Sequence, residues 1–181
     1  MSDSYEYRNV THFTAGAEGE PGQRVFYLQV GDETGHISVR LEKQQVRALA
    51  QFLRSVLDDL PAPPPSASNP IPLREPAIAE WVVGQIAVGV AEAEAEVVLV
   101  VDELVPDNDD DDIDDDIDDD DVEVDLYDSP AEGARIRAHI NVTQAAQFVV
   151  TSEELMSKGR PPCRLCGQPL DPTGHTCPRL N

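Results

Sequence analysis

No apolar run in this chain approaches the roughly 18 residues that a membrane-spanning helix needs. The N-terminal residues, Met-Ser-Asp-Ser-Tyr-Glu-Tyr, contain neither a basic stretch nor an apolar one, so no secretory leader is expected. Basic residues are scarce: 13 Lys and Arg stand against 35 Asp and Glu, a formal net charge of −22 over 181 residues. Such a surface repels nucleic acid and anionic membrane over most of its area. Also missing are a G-x-x-x-x-G-K phosphate cradle, a G-x-G-x-x-G turn after a strand and a G-x-S-x-G elbow. Carboxylates are so abundant that a pair of them carries no information. His12, His36 and His139 stand apart from any Ser, Cys or paired-carboxylate pattern and read as strand or surface residues. No catalytic constellation results; the chain reads as non-enzymatic, and an enzyme is an open but unsupported alternative.

Cysteine is scarce as well. The chain has three, all between Cys163 and Cys177, with one of its four histidines among them. Cys163 and Cys166 form a C-x-x-C turn followed by Gly167, and His175 and Cys177 an H-x-C turn preceded by Gly174. Two short turns that each supply two soft or borderline ligands suit tetrahedral zinc. Gly167 lets the turn fold back so that backbone N–H groups face sulfur. Pro161, Pro162, Pro169, Pro172 and Pro178 stiffen a segment too short for an apolar core. Such a segment folds only if metal binding supplies the free energy, on the order of 10–16 kcal/mol in zinc peptides. The bland alternative is a disordered tail with three free thiols. Four protein ligands leave no open position for catalysis, and the prolines oppose a C-x-x-C redox pair, which would open a helix beside a strand. The expected site is structural Zn2+ on Cys163, Cys166, His175 and Cys177. Cysteines committed to metal fit a reducing compartment. A soluble cytoplasmic protein is expected, and the N-x-T matches at Asn9 and Asn141 are chance.

Along the chain, residues 5–14 alternate polar and aromatic side chains and predict a strand, followed by a Gly-rich loop over 15–22. Residues 24–30 and 36–41, joined by the turn 31–35, predict a hairpin. Val46, Leu49, Leu53, Leu57 and Leu60 then recur at helical spacing, predicting an amphipathic helix from about Glu42 to Leu60, stopped by Pro61. Residues 61–76 read as a Pro-rich connection. Residues 77–90 predict a long strand; 91–96 fit either a strand with its glutamates outward or a turn of helix, with strand favoured because 97–101 read as a buried strand; 102–106 leave the sheet. Residues 107–121 hold twelve aspartates, one asparagine and two isoleucines and read as a disordered acidic loop. An EF-hand would need Gly at its sixth position and a terminal Glu, which this run lacks. A functional version of the loop would be a lure for a basic partner. A second hairpin is predicted over 122–127 and 135–140, then a helix from about Thr143, as N-cap, to Met156.

The two hairpin-helix units align at an offset of 99 residues, with Val25 on Val124, Leu41 on Ile140, Gln45 on Gln144 and Leu49 on Phe148. Two ordinary units of similar pattern would look much the same. The expected fold is α+β: a mainly antiparallel sheet with two helices on one face, built from two ββα-like units. The expected domains are 1–157 for this layer structure and 158–181 for the zinc-knuckle tail.

The segments 22–29 (Gly-Gln-Arg-Val-Phe-Tyr-Leu-Gln), 41–46 (Leu-Glu-Lys-Gln-Gln-Val) and 159–181, which holds the cysteine motif, resemble an uncharacterised bacterial family. It is mainly actinobacterial, is of about this length and carries a domain-of-unknown-function label. The resemblance covers nearly the whole chain, although the aspartate run is longer than the mixed acidic insert it implies. It implies gene neighbours that look like a histidine phosphatase and a phosphoinositide kinase, hence a phosphate-linked pathway, but no catalytic residue. The expected function is a zinc-binding adaptor or protein-interaction module. One alternative is nucleic-acid binding by the tail, where Lys158, Arg160, Arg164 and Arg179 face Asp171 alone; stacking aromatics are missing there. Another is an accessory role in the phosphatase- and kinase-linked pathway.

Overall fold

The computed structural model describes residues 3–60, 69–91, 96–106, 133–159, 163–168, 170 and 174–179. Strands β1 (Tyr5–Tyr7), β2 (His12–Glu18), β3 (Val25–Gly31) and β4 (His36–Leu41) lead into helix α1 (Lys43–Asp58). Strands β5 (Val83–Ala91), β6 (Glu96–Glu103) and β7 (Arg135–Asn141) lead into α2 (Val142–Ser157). The class is α+β. The strands are shared between two sheets, β1-β7-β6-β5 and β2-β3-β4, antiparallel throughout except for the parallel pair β1–β7. No helix among the described residues is long and apolar enough to cross a membrane.

The repeat is larger than the sequence pattern indicates. β4 and β7 begin 99 residues apart, and α1 and α2 begin and end 99 apart. The antiparallel partner of β7 is β6, with β5 beyond it. Each unit is therefore three strands and a helix: β2-β3-β4-α1 and β5-β6-β7-α2. The expected strand at 122–127 and the acidic loop at 107–121 lie outside the described residues, as do 61–68 and 92–95.

Both helices start with the same device. At α1 the capping box joins Glu42 and Gln45; at α2 it joins Asn141 and Gln144, so the N-cap is Asn141 and not Thr143. A cap side chain must accept from the N–H three residues on, and only position 141 has that relation to Gln144. Each of these glutamines then reaches the other unit. Gln45 Nε2 donates to the carbonyls of Val83 and Gly84 at 3.3 and 3.2 Å, and Gln144 Nε2 donates to the Val10 carbonyl. Phe148 of α2 stacks on Phe13 of β2 with ring centroids 4.6 Å apart, and both rings are fully buried. The helices meet along Arg54–Glu153, an ion pair between positions that are themselves 99 apart.

Four boundaries differ from expectation, one of them the strand predicted over 77–90, which begins only at Val83. The first expected strand is two, β1 and β2, in different sheets, because Val10 is buried in the core at the bend between them. β2 runs on through Glu18, since Ala15 and Ala17 pair with Leu28 and Phe26; only the glycine turn beyond it is loop. β6 continues to Glu103, where Asp102 pairs with Arg135 through two bonds of 2.6 and 2.9 Å.

The expected connection is, in its second half, a strap. Residues 69–76 cross the polar face of β2-β3-β4. Leu73 occupies the space where a side chain on Gly16 would stand: a Cβ there would lie 2.3 Å from Leu73 Cγ. Gln29, fully buried in β3, saturates its amide. Its oxygen accepts from Arg74 N–H (2.8 Å), which fixes the amide orientation, so His12 Nε2, 3.1 Å away, is the donor. Its nitrogen donates to Ser38 Oγ (3.0 Å) and to the Arg74 carbonyl (2.8 Å). Replacing Gln29 by Leu leaves buried partners unpaired and should cost about 1–3 kcal/mol in urea unfolding. Burial pushes the His12 imidazole below its usual 6.5. The folded state thus favours neutral His12, and its contribution, intact above pH 6.5, is lost as pH falls below that value. The unfolding free energy of His12→Gln should depend less steeply on pH just below 6.5 than that of the wild type.

Candidate metal centre

After α2 the chain turns out of the helix, with Lys158 N–H on the Glu154 carbonyl and Gly159 N–H on the Met156 carbonyl. The next described residue is Cys163. Its N–H donates to the Gln168 carbonyl (2.7 Å), and its own carbonyl accepts from Gly167 N–H (2.8 Å), which closes the first turn into a small loop. Gly167 sits at φ +75°, a conformation that only glycine adopts cheaply. Gly174, at φ +84°, opens the second turn in the same way. Arg179 Nη1 donates to the Leu165 carbonyl at 3.1 Å and ties the second turn to the first. No spacing rule signals that contact, because it depends on the two turns already facing each other.

These turns bring together all four residues singled out in the sequence. The ligand atoms of Cys163, Cys166, His175 and Cys177 lie within 4.8 Å of one another, close enough to bind a metal ion. Cys163 Sγ and Cys177 Sγ are 4.0 Å apart, and Cys166 Sγ is 3.5 Å from His175 Nε2. Cys177 is buried and the other three are half-buried. The N–H groups of Cys166 and then Leu165 point at Cys163 sulfur and lower its thiol to about 6, which favours the thiolate near neutral pH. Burial raises the neighbouring Cys166 thiol. One thiolate is therefore ready to receive a cation, which in turn deprotonates the others.

The other histidines do not join this cluster. His12 belongs to the Gln29 network, His36 begins β4 with its ring 6.2 Å from that of His12, and His139 Nδ1 lies 2.9 Å from Glu96 Oε2. All three are strand residues. The polar network beneath the strap has no sequence signature, since Gln29 looks like one more polar residue in an alternating strand.

Nothing lies within 4 Å of a side chain built on Gly167, so substitution there tests backbone conformation alone. Gly167→Ala should weaken metal retention in chelator competition by about 5–30-fold, the equivalent of about 1–2 kcal/mol of left-handed strain, and Gly167→Asn should lose less. In comparisons with known proteins, neither a curated protein nor a solved structure matches the chain. A family model described as a protein of unknown function (DUF3090) matches residues 5–177. That span runs from β1 to the last cysteine of the cluster, and the chain belongs to the DUF3090 family.

Proposed function

We propose that this chain is a zinc-stabilised protein-interaction module whose C-terminal knuckle is the docking element. The observation that carries this reading is the closed set of four donors. In a tetrahedral site, zinc distances of about 2.3 Å to sulfur and about 2.0 Å to nitrogen put two sulfurs about 3.8 Å apart and sulfur about 3.5 Å from nitrogen. The separations of 4.0 and 3.5 Å fit that figure. Three thiolates and an imidazole also suit zinc better than hard cations, which take oxygen ligands. With every position filled by protein, the ion builds structure and has no site for a substrate or a reactive water.

The knuckle holds out Leu165, half-exposed at 49% and flanked by Arg164, on a loop braced by Arg179. An exposed leucine beside arginine on a rigid turn offers an apolar contact with a charged rim, the composition of a protein-docking site. Candidate partners are proteins like a histidine phosphatase or a phosphoinositide kinase, for which this chain would act as an adaptor.

The test is affinity capture from native extract with wild type, Cys163→Ser/Cys166→Ser and Leu165→Asp, counting zinc in each preparation. The wild type should carry about one zinc per chain, and the double cysteine variant should lose zinc and partner together. Leu165→Asp should keep its zinc and bind the partner about tenfold or more weakly, as for an interface anchor. A partner retained at full strength by the zinc-free variant would reduce the knuckle to a structural clip and sink the adaptor reading.

A further inference from the structure

The two sheets have four outer strands, and three of them are protected among the described residues. β1 is only three residues long and runs into the exposed Arg8. β2 is closed by α2 and by the strap, where Thr14 Oγ1 donates to the Ile71 carbonyl and Ile71 N–H donates to Thr151 Oγ1. β4 is flanked by the chain entering β5: Arg40 N–H donates to the Trp81 carbonyl and Glu80 N–H to the Ser38 carbonyl. Short strands, charges, prolines and covering segments are the usual ways of keeping a sheet edge from pairing with another chain.

Beyond its entry, where Val82 bridges Arg40 of β4, β5 has none of these among the described residues. It is nine residues long, Val-Gly-Gln-Ile-Ala-Val-Gly-Val-Ala, without a charge or a proline. Among the described residues, Gln45 caps its first two carbonyls, at Val83 and Gly84. An apolar groove of about 500 Å³ opens between β5 and α1, lined by Ala48, Leu49, Phe52, Ile86 and Val88. The repeat shows what a filled counterpart looks like. Thr151, 99 residues after Phe52, is bound by the strap, whereas Phe52 is 43% exposed. Val90, near the far end of the strand, is 42% exposed.

We propose that the β5 edge and the adjoining α1 groove form the interface of a homodimer, in which β5 pairs antiparallel with β5 of a second copy about a two-fold axis. Charge permits this occupant at the strip and opposes it elsewhere. On a chain of −22, two copies repel almost everywhere, and this strip of uncharged residues is a face on which they can meet without opposing carboxylates. Size permits it. The seven residues beyond the Gln45 contacts span about 24 Å, and the strand with the helix above it is about 15 Å deep, so pairing covers on the order of 700 Å² in total. That is the size of a weak, concentration-dependent interface. A uniform uncharged strand pairs with its own inverted copy as readily as with any other strand, and isologous pairing closes at two.

Repulsion between the acidic bodies gives the dimer an unusual salt dependence. Sedimentation of full-length protein should show a monomer–dimer equilibrium that tightens about tenfold or more as salt rises from about 20 to about 300 mM, because screening removes the repulsion. A contact held by opposite charges would weaken instead. Val90→Lys and Phe52→Glu each place a charge on the strip at a half-exposed position, from two different elements. Both should stay monomeric in salt at concentrations where wild type is dimeric, with thermal unfolding at low salt unchanged. The proposal is overturned by a wild type that is monomeric up to about 200 μM in high salt, or by variants that dimerise as the wild type does.

Discussion

The architecture depends on an exchange: each helix is anchored to the strands of the other repeat unit. Phe148 of α2 stacks on Phe13 of β2, and the capping-box glutamines Gln45 and Gln144 each donate across to the start of the opposite unit. A three-stranded sheet whose helix packs largely on the other unit cannot bury its apolar face alone. Leu28, Val30 and Val39 in one unit and Leu99, Val101 and Ile136 in the other therefore belong to one core. The β5 groove, the polar network and the strap follow from how that exchange is completed on each side. On the β2 side a segment of the chain closes the join; on the β5 side no described segment does.

The metal cluster obeys a different logic. Around Cys163–Cys177 the described residues contribute no apolar core, apart from the buried Cys177 itself, so order there comes from backbone geometry and donor convergence. Two positive-φ glycines set the turns, and N–H groups aimed at Cys163 stabilise its thiolate before any cation arrives. The protein thus combines a hydrophobically stabilised body with a segment whose stability follows ligand chemistry.

Much of this is legible in the sequence. The donor set can be read because three cysteines and a histidine at turn spacing suit a metal site and little else, and α1 because five apolar residues keep helical period across it. The repeat is legible in its helices, where Gln45 and Gln144 hold the same capping position. Its strands are not, because the alternating 122–127 and the continuous apolar run of β6 both read as strand, and nothing local tells which of them pairs with β7. The Gln29 network is invisible for a similar reason. Saturation of an amide depends on a strap that arrives 45 residues later in the chain. Patterns within a window report periodicity; partners across the fold are decided by what the rest of the chain leaves unpaired.

The exchanged helices also bear on the history of the chain. Two identical strand-strand-strand-helix pieces that swapped helices would form a symmetric pair with Phe13–Phe148-type contacts on both sides. Joining the end of one helix to the next first strand requires only a connection such as residues 61–76. The present protein has the form that duplication and tandem fusion of a small self-associating ancestor would leave. The halves are unequal: position 52 is a phenylalanine where position 151 is a threonine, and only the Thr151 side carries the described strap. Cutting the chain within 61–68 would, on this view, yield two fragments that recognise each other, since each still lacks the helix that the other carries.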